Sequence, residues 1–303
     1  MNIIIKNNKI GIFLLLLVGG AIIYYGGSRE SEQQKSELIP VSSITHGHGL
    51  ALDREDRSKL YIATHHGLLL LKDEKELYRV GSSKDDYMGF SVHPTESNIF
   101  LSSGHPVGGG NIGFQRSEDK GFTWKKISDG VNGPVDFHAM AVSPANPSIM
   151  YGWYQGTLQR SDDGGIAWKI VNKDILAVQL AAHPKDENII YASTPNGPGV
   201  LVSKDKGVTW SDLSDDLRGG QVAVMAINPR EPNKMLAYAE KQGGLAGSSD
   251  GGETWSNVPE DFEGETVLYI VYSPHDQNTV YSITHKNSIY KSVNGGEGWV
   301  KIH

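Results

Sequence analysis

The chain has 303 residues, 38% hydrophobic and 21% charged, which is enough for one large all-β domain or two smaller domains. Its formal net charge of −7 argues against a nucleic-acid binder, which would need a basic stripe to follow the phosphates. It contains no cysteine, which excludes disulfides, thiolate metal sites and a cysteine nucleophile. The 36 glycines and the scarcity of helical patterning predict many tight turns between short strands.

The N-terminal segment differs in composition from the rest. Lys6 and Lys9 precede an apolar run over residues 10–25, an order typical of a signal sequence with its basic end inside. No small-x-small cleavage site follows cleanly. We therefore predict that residues 1–27 are a single-pass signal anchor in the cell membrane, with secretion after cleavage as the alternative. Residues 28–45 are predicted to form a polar stalk that carries an extracytoplasmic domain over residues 46–303.

Five segments of the remaining chain share a Ser-x-Asp/Asn-x-Gly-x-x-Trp pattern, and their tryptophans are 42 to 45 residues apart. These segments are Ser117–Trp124, Ser161–Trp168, Ser203–Trp210, Ser248–Trp255 and Ser292–Trp299. A second motif, a residue followed directly by proline, precedes each of these five segments, as in His93-Pro94 and Ser143-Pro144. A sixth copy, Leu50–Leu71, keeps the strands but lacks the Ser-to-Trp turn.

Six repeats of about 40–45 residues, each with four short strands, predict a six-bladed β-propeller. In the third repeat we place the strands at residues 138–143, 148–153, 156–160 and 167–171. The last repeat already has its own fourth strand. Closure is therefore expected to depend on side-chain packing between the first and sixth blades, unless residues 38–44 add an outer strand.

The five Ser-to-Trp segments resemble the Asp-box, or BNR, repeats of sialidases, sortilin-type propellers and bacterial propellers labelled glycosyl hydrolases. The resemblance covers residues 46–303. It implies that the third-to-fourth-strand turns lie on the face opposite the binding face. On that basis five side chains are structural: Asp119, Asp163, Asp205, Asp250 and Asn294.

The opposite face is where a ligand site is predicted. Equivalent first-strand positions lie seven and five residues before the residue that directly precedes each proline. In the first three blades these positions hold His46, His48, Asp86, Met88, Asp136 and His138, whereas the last three blades are mostly apolar there. Since both offsets have the same parity, the side chains should continue the buried stripe of each strand toward the channel.

The second-to-third-strand turns are expected to add further groups to this face. They are His65, His66, His105, Trp153 and His285. We interpret these turn residues as contacts for a ligand. The sequence does not decide whether that ligand is a metal, a glycan or a protein.

Histidine and carboxylate side chains together are ligands for zinc or another divalent ion, and methionine beside histidine also suits copper. The predicted metal ligands are His46, His48, Asp86, Asp136 and His138. A hydrogen-bonded network that merely closes the channel mouth is an open alternative.

A catalytic site is the other alternative. Asp86 and Asp136 would be the acid–base pair if the protein is a glycoside hydrolase, because most such enzymes need two carboxylates about 5–10 Å apart. Sialidase activity is not expected, because only Arg79 and Arg218 are placed near the face and sialidases hold their substrate with three arginines.

Overall fold

A computed structural model describes residues 37–303. Within that range the protein consists of six antiparallel sheets, each of four strands, with a fifth strand added to the first sheet. The sheets follow one another along the chain and form the six blades of a propeller. The prediction of an all-β, six-bladed propeller is confirmed. The proposed signal anchor over residues 1–27 lies outside the described residues.

The strands occupy the following ranges. The first blade contains β1 (Leu38–Pro40), β2 (Gly47–Leu52), β3 (Lys59–Thr64), β4 (Gly67–Lys72) and β5 (Glu76–Val80). The second contains β6 (Asp86–Val92), β7 (Phe100–His105), β8 (Phe114–Ser117) and β9 (Lys125–Ser128). The third contains β10 (Ala139–Val142), β11 (Met150–Tyr154), β12 (Thr157–Ser161) and β13 (Lys169–Asn172). The fourth contains β14 (Gln179–Ala182), β15 (Ile190–Ser193), β16 (Val200–Ser203) and β17 (Ser211–Asp212). The fifth contains β18 (Val222–Ile227), β19 (Met235–Ala239), β20 (Gly244–Ser248) and β21 (Ser256–Asn257). The sixth contains β22 (Val267–Tyr272), β23 (Val280–Thr284), β24 (Ile289–Ser292) and β25 (Val300–Lys301).

Helical structure in the described range is confined to two short 3₁₀ turns, Glu240–Gln242 and Phe262–Gly264. Among residues 37–303, no helix combines the length and the apolar composition that crossing a membrane requires. The core consists of apolar clusters between adjacent blades, as expected for sheets that pack face to face around a ring.

The repeated turns are held by their own side chains. In the second blade Ser117 Oγ donates to Asp119 Oδ1 over 2.7 Å and accepts from the backbone N–H of Gly121 over 2.8 Å. Trp124 Nε1 donates to the carbonyl of the same glycine over 3.0 Å, which fixes the indole against the blade. Corresponding bonds recur in the other four turns, including that of Asn294. Because the strands are antiparallel, these turns lie at the ends of the blades opposite to the ends where β6 begins and β7 finishes.

β1 pairs with β5 at the outer edge of the first blade, with Ile39 opposite Arg79. It falls within the segment predicted as a stalk over residues 28–45, and it matches the outer strand that the sequence left open over residues 38–44. β1 does not pair with the sixth blade, so it does not close the ring.

The first and sixth blades share no strand, and each contact that closes the ring between them involves a side chain. Lys291 Nζ and Tyr281 OH both donate to Glu74 Oε1, over 2.5 and 3.2 Å. The amide of Gly47 donates to Asn287 Oδ1 over 2.8 Å. Ile283 is fully buried in an apolar cluster that contains leucines of β2, β3 and β4. Side-chain packing therefore provides the closure, as the sequence predicted.

Asp53 links the first blade to the second and gives the fold a dependence on acid. Its carboxylate is fully buried, accepts from the amides of Glu55 and Asp56 over 2.8 and 3.1 Å, and lies 2.9 Å from Lys120 Nζ. Burial alone would raise the pKa of this carboxyl, but these hydrogen bonds and the charge of Lys120 lower it below its ordinary value. A carboxyl whose pKa is lowered by folding stabilises the fold above its unfolded pKa, near 4, and loses that contribution as the pH falls through its folded pKa.

We therefore expect Asp53→Asn to lower the free energy of unfolding by about 2–4 kcal/mol at pH 7, and by less near pH 2, because the wild-type carboxylate loses its stabilising contribution as the pH falls toward its folded pKa. Urea denaturation at the two pH values measures the difference. Asp215→Asn is the matched control, because that side chain is 92% exposed, and it should change stability by less than about 0.5 kcal/mol. An equal effect of Asp53→Asn at both pH values would contradict this account.

Candidate metal centre at the mouth of the channel

The first cluster joins the first and second blades around one buried carboxylate. Asp86 is the first residue of β6, and its side chain lies between two imidazoles of the first blade. His48 Nε2 from β2 is 2.9 Å from Asp86 Oδ1. His65 Nδ1, from the β3–β4 turn, is 2.5 Å from Asp86 Oδ2. We call these three residues the first triad.

The second cluster repeats this arrangement between the second and third blades. Asp136 is buried just before β10, with 3% of its surface exposed. His105 Nε2, at the end of β7, lies 2.8 Å from Asp136 Oδ2, and His138 Nε2 lies 2.7 Å from the same oxygen. We call these three residues the second triad.

The two triads are neighbours. Asp86 pairs directly with His105 in the β6–β7 register, so the carboxylate of one triad and an imidazole of the other come from opposed residues. His138 also lines the central channel, which is bounded by the first strands of several blades. At the other end of the channel stand the prolines of the repeated motif, including Pro94, Pro144 and Pro184. The triads therefore lie at the channel end away from the Ser-to-Trp turns.

Several buried polar atoms of the triads lack a hydrogen-bond partner within the described structure. They are both ring nitrogens of His48, Oδ1 of Asp86 and Oδ1 of Asp136. His48 Nε2 nevertheless lies 2.9 Å from Asp86 Oδ1, so these two atoms interact with each other, whereas His48 Nδ1 and Asp136 Oδ1 have no such neighbour.

The local electrostatics of the first triad favour a neutral imidazole at His48. Burial lowers the pKa of His48, and the neighbouring Asp86 only partly opposes this. Burial would raise the pKa of Asp86, but His48 and His65 together lower it, so the carboxyl stays ionised. In the second triad the hydrogen bond that His138 donates to Asp136 raises the pKa of His138, so this imidazole must release a proton before it can bind an ion. A neutral imidazole beside an ionised carboxylate is the donor set that a divalent ion needs.

A bulge in the first strand explains how His48 reaches this position. Gly47 pairs with Thr64 and Gly49 with Ala63, so His48 is an extra residue in β2. Ala223 in β18 and Leu268 in β22 are extra residues at the corresponding positions. The strict alternation predicted through this position is therefore wrong in these strands, because a bulge interrupts the pairing and re-aims the side chain.

The remaining predicted residues are placed around the triads or away from them. The ring of His46 lies 4.4 Å from that of His65, centroid to centroid, and is exposed beside the first triad. His66 faces a separate cleft at the edge of the first blade. His285 Nδ1 accepts from the amide of Thr266 within the sixth blade and joins neither triad. His65 and His105 were predicted as ligand contacts but not as metal ligands, and each completes a triad.

Trp153 borders a second feature, a cleft of about 510 Å³ beside the second triad. Its indole is fixed by a 3.0 Å hydrogen bond from Nε1 to the carbonyl of Ile175. Tyr154 lines the same cleft, and its hydroxyl accepts from Asn111 Nδ2 over 2.7 Å. Leu176 and Val178, 50% and 37% exposed, form an apolar wall. The cleft thus offers an apolar surface next to Asp136 and His138.

Each triad fits a metal ion by donor type and spacing. Among the described residues, two groups of three histidine and carboxylate side chains bring one ligand atom each to within 4.8 Å of the others, and they are the two triads. Zinc and copper accept imidazole nitrogen and carboxylate oxygen at about 2.0–2.2 Å. Three protein ligands leave at least one coordination position for water or another ligand.

Comparison with known proteins gives the fold more support than the function. No protein-family model matches the chain. A xyloglucanase of Hypocrea jecorina (strain QM6a) is 28% identical over 117 residues, which cover 30% of this chain and 14% of the xyloglucanase. A GH74 enzyme of Niastella koreensis has a similar structure, with a TM-score of 0.58, 15% identity, and coverage of 84% of this chain and 46% of that enzyme.

The structure of YCF48 from Cyanidioschyzon merolae is similar over a larger share of its own length. Its TM-score is 0.53 at 14% identity, and the match covers 88% of this chain and 87% of YCF48. At such identities the likeness shows a shared propeller fold and nothing about activity. The chain also spans less than half of the GH74 enzyme and of the xyloglucanase.

Proposed function

We propose that this protein is a propeller that binds divalent transition-metal ions, zinc or copper, at the mouth of its channel, with one ion in each triad. The observation that carries the proposal is the pair of His₂Asp clusters around buried carboxylates, with ligand-type atoms left unsatisfied in both. In tetrahedral coordination with bonds of about 2.0 Å, ligand atoms lie about 3.3 Å apart. The present contacts of 2.5 to 2.9 Å would therefore open by less than 1 Å.

Metal binding also accounts for His48 better than the alternative network does. A network that closes the channel would be stabilising only if its buried members had partners, and Nδ1 of His48 and Oδ1 of Asp136 are buried without one. An ion would use one of the His48 ring nitrogens and Asp86 Oδ1 together. The open position on each ion would face solvent at the channel mouth, where His65, His105 and His138 are partly or largely exposed.

The test is a metal titration of the full chain, purified without an affinity tag and first treated with a chelator. Elemental analysis after zinc loading should give two ions per chain, and a chelator should remove them. His48→Ala combined with His138→Ala should abolish stoichiometric binding and lower the melting temperature only when metal is present. Equal destabilisation with and without metal would instead assign the triads to a structural network.

We further propose that the domain is an Asp-box propeller held outside the cytoplasm by residues 1–27. The five Ser-to-Trp turns and the apolar run over residues 10–25 support this assignment. The protein should be recovered in the membrane fraction of lysed cells. Protease added to intact cells should release the propeller from the membrane. Recovery of a soluble form that starts near residue 28 would favour cleavage and secretion.

A glycoside hydrolase is the second candidate, favoured by the apolar cleft beside Asp136 and by the limited similarity to a xyloglucanase. A sugar ring would stack on Trp153, with Asp86 and Asp136 as the carboxylate pair. The low pKa of Asp86 suits a base or a nucleophile rather than the proton donor, so Asp136 would have to be the acid.

If this second function holds, Asp136→Asn should reduce hydrolysis of a β-glucan and oligosaccharide panel by at least about 10²-fold, because general acid catalysis contributes roughly that much. Trp153→Ala should mainly raise KM, since it would remove stacking in the ground state and transition state alike. Asp174→Asn, an exposed position in the β13–β14 connection, is the control. The absence of any turnover by the wild-type chain, with or without zinc, would eliminate the hydrolase.

A further inference from the structure

A cleft of about 640 Å³ lies at the edge of the first blade, apart from the metal triads. One wall is the segment that follows β1, with the exposed hydroxyls of Ser42, Ser43 and Thr45. The opposite wall is formed by His66, from the β3–β4 turn, and by Arg79 of β5. Its polar side chains are thus mainly hydrogen-bond donors, and no acidic side chain lines it.

Arg79 is held in place, and within residues 37–303 it has no carboxylate partner for its charge. Its strand position lies between Leu69 of β4 and Ile39 of β1, which are its register partners. Its side-chain stem packs over Gly67, where an added Cβ would stand 2.9 Å from Arg79 Cδ. Nε is fully buried and makes no hydrogen bond. Throughout residues 37–303, no carboxylate lies within ion-pair distance of this guanidinium.

Three other arginines of the described chain contact neighbouring acids, and the remaining three, Arg54, Arg57 and Arg230, have no such contact but are exposed to solvent. Arg116 contacts Glu118, Arg160 contacts Asp162, and Arg218 contacts Asp212. A guanidinium that is partly buried without such a partner is costly, unless an anion completes it. Its planar fork of donors matches the paired oxygens of a carboxylate or a phosphate.

We propose that this cleft binds a small oxyanion, a phosphate or a carboxylate group, through a bidentate contact with Arg79, assisted by His66 and the hydroxyls of residues 42–45. The site is independent of the proposed metal ions, although His66 is the sequence neighbour of His65 in the first triad. The immobilised stem of Arg79 means that little side-chain freedom is lost on binding, which favours a preorganised contact.

The test titrates the metal-free full chain separately with sodium phosphate and sodium malonate, against sodium chloride at matched ionic strength. The Nε–Hε resonance of Arg79 and the melting temperature are recorded. We expect phosphate, malonate or both to shift this resonance saturably and to raise the melting temperature, while chloride does neither. A response to phosphate alone assigns a phosphate ligand, to malonate alone a carboxylate ligand, and to both the shared oxyanion chemistry.

Variants separate the site from general charge effects. Arg79→Gln should weaken the apparent affinity at least tenfold, and Arg79→Lys, which keeps the charge but loses the fork, by a smaller factor. Arg54→Gln is the matched control and should leave the titration unchanged. Arg54 is an exposed arginine that follows β2, at the end of the channel away from the triads. Asp86→Asn should also leave it unchanged, so failure of the metal proposal would not affect this result. An unperturbed Arg79 resonance in the wild-type chain, or equal responses in wild type and Arg79→Gln, would overturn the proposal.

Discussion

Asp86→Asn should reduce the zinc content of the chain from two ions to one, with the remaining ion in the second triad. The substitution keeps the size of the side chain but removes the charge that both His48 and His65 contact. A neutral amide is a poor ligand for zinc, so the first triad would retain only two imidazoles. Asp136→Asn should give the reciprocal result, and the double variant should bind no stoichiometric zinc.

The two triads are not expected to be fully independent. Asp86 contributes to the raised pKa of His138, so its charge acts across the boundary between the triads. Loss of the Asp86 charge should therefore slightly weaken binding of the second ion, and it should also make proton release from His138 easier. Zinc titrations should show this as one lost site and a modest change in affinity at the other.

Asp85→Asn is the control for this experiment. Asp85 carries the same charge one residue earlier, but its carboxylate accepts from the amide of Val107 and belongs to neither triad. It should leave two ions bound. Melting curves provide a second readout, because a ligand at a hundred times its Kd stabilises the fold by about 2.7 kcal/mol per site. Two ions retained by Asp86→Asn, or two lost, would contradict the assignment of one ion to each triad.

The repeat predicted the fold because it is a property of sequence spacing. Strands in the third blade begin and end within about two residues of their predicted positions, since the proline motif and the tryptophan turn mark both ends of each unit. The same alignment found His48, Asp86, Asp136 and His138, because first-strand positions are equivalent in every blade.

The division of these residues into two triads could not be read from the sequence. His65 lies in the β3–β4 turn and His105 at the end of β7, and each contacts a carboxylate at the start of the following blade, so its partner depends on how neighbouring blades twist against each other. The bulge at His48 is likewise set by pairing with β3. Sequence spacing alone therefore indicated a shared face but not which imidazole meets which carboxylate.

Ile283→Ala should destabilise the propeller by about 2–5 kcal/mol, the usual range for removing a fully buried isoleucine side chain. Ile283 is completely buried at the seam between the sixth and first blades, and its Cδ1 lies where a Cβ on Gly47 would come within 2.4 Å. No strand is shared across this seam, so a cavity there weakens the packing that holds the ring together. Ile283→Val should cost about 0.5–1.5 kcal/mol and give a graded series.

Urea denaturation followed by tryptophan fluorescence and by far-UV circular dichroism measures this effect, with Ile166→Ala as the control. Ile166 is 67% exposed in a repeated turn, so the same chemical change there should alter stability by less than about 0.5 kcal/mol. Because each blade packs against two neighbours, loss of the seam should unfold all six blades in one transition, and the two probes should coincide with an unchanged denaturant slope. A separate, earlier transition of the first blade, with a smaller denaturant slope, would show that the ring opens at the seam while the other blades stay folded. That result would contradict the expectation that closure makes the six blades unfold together.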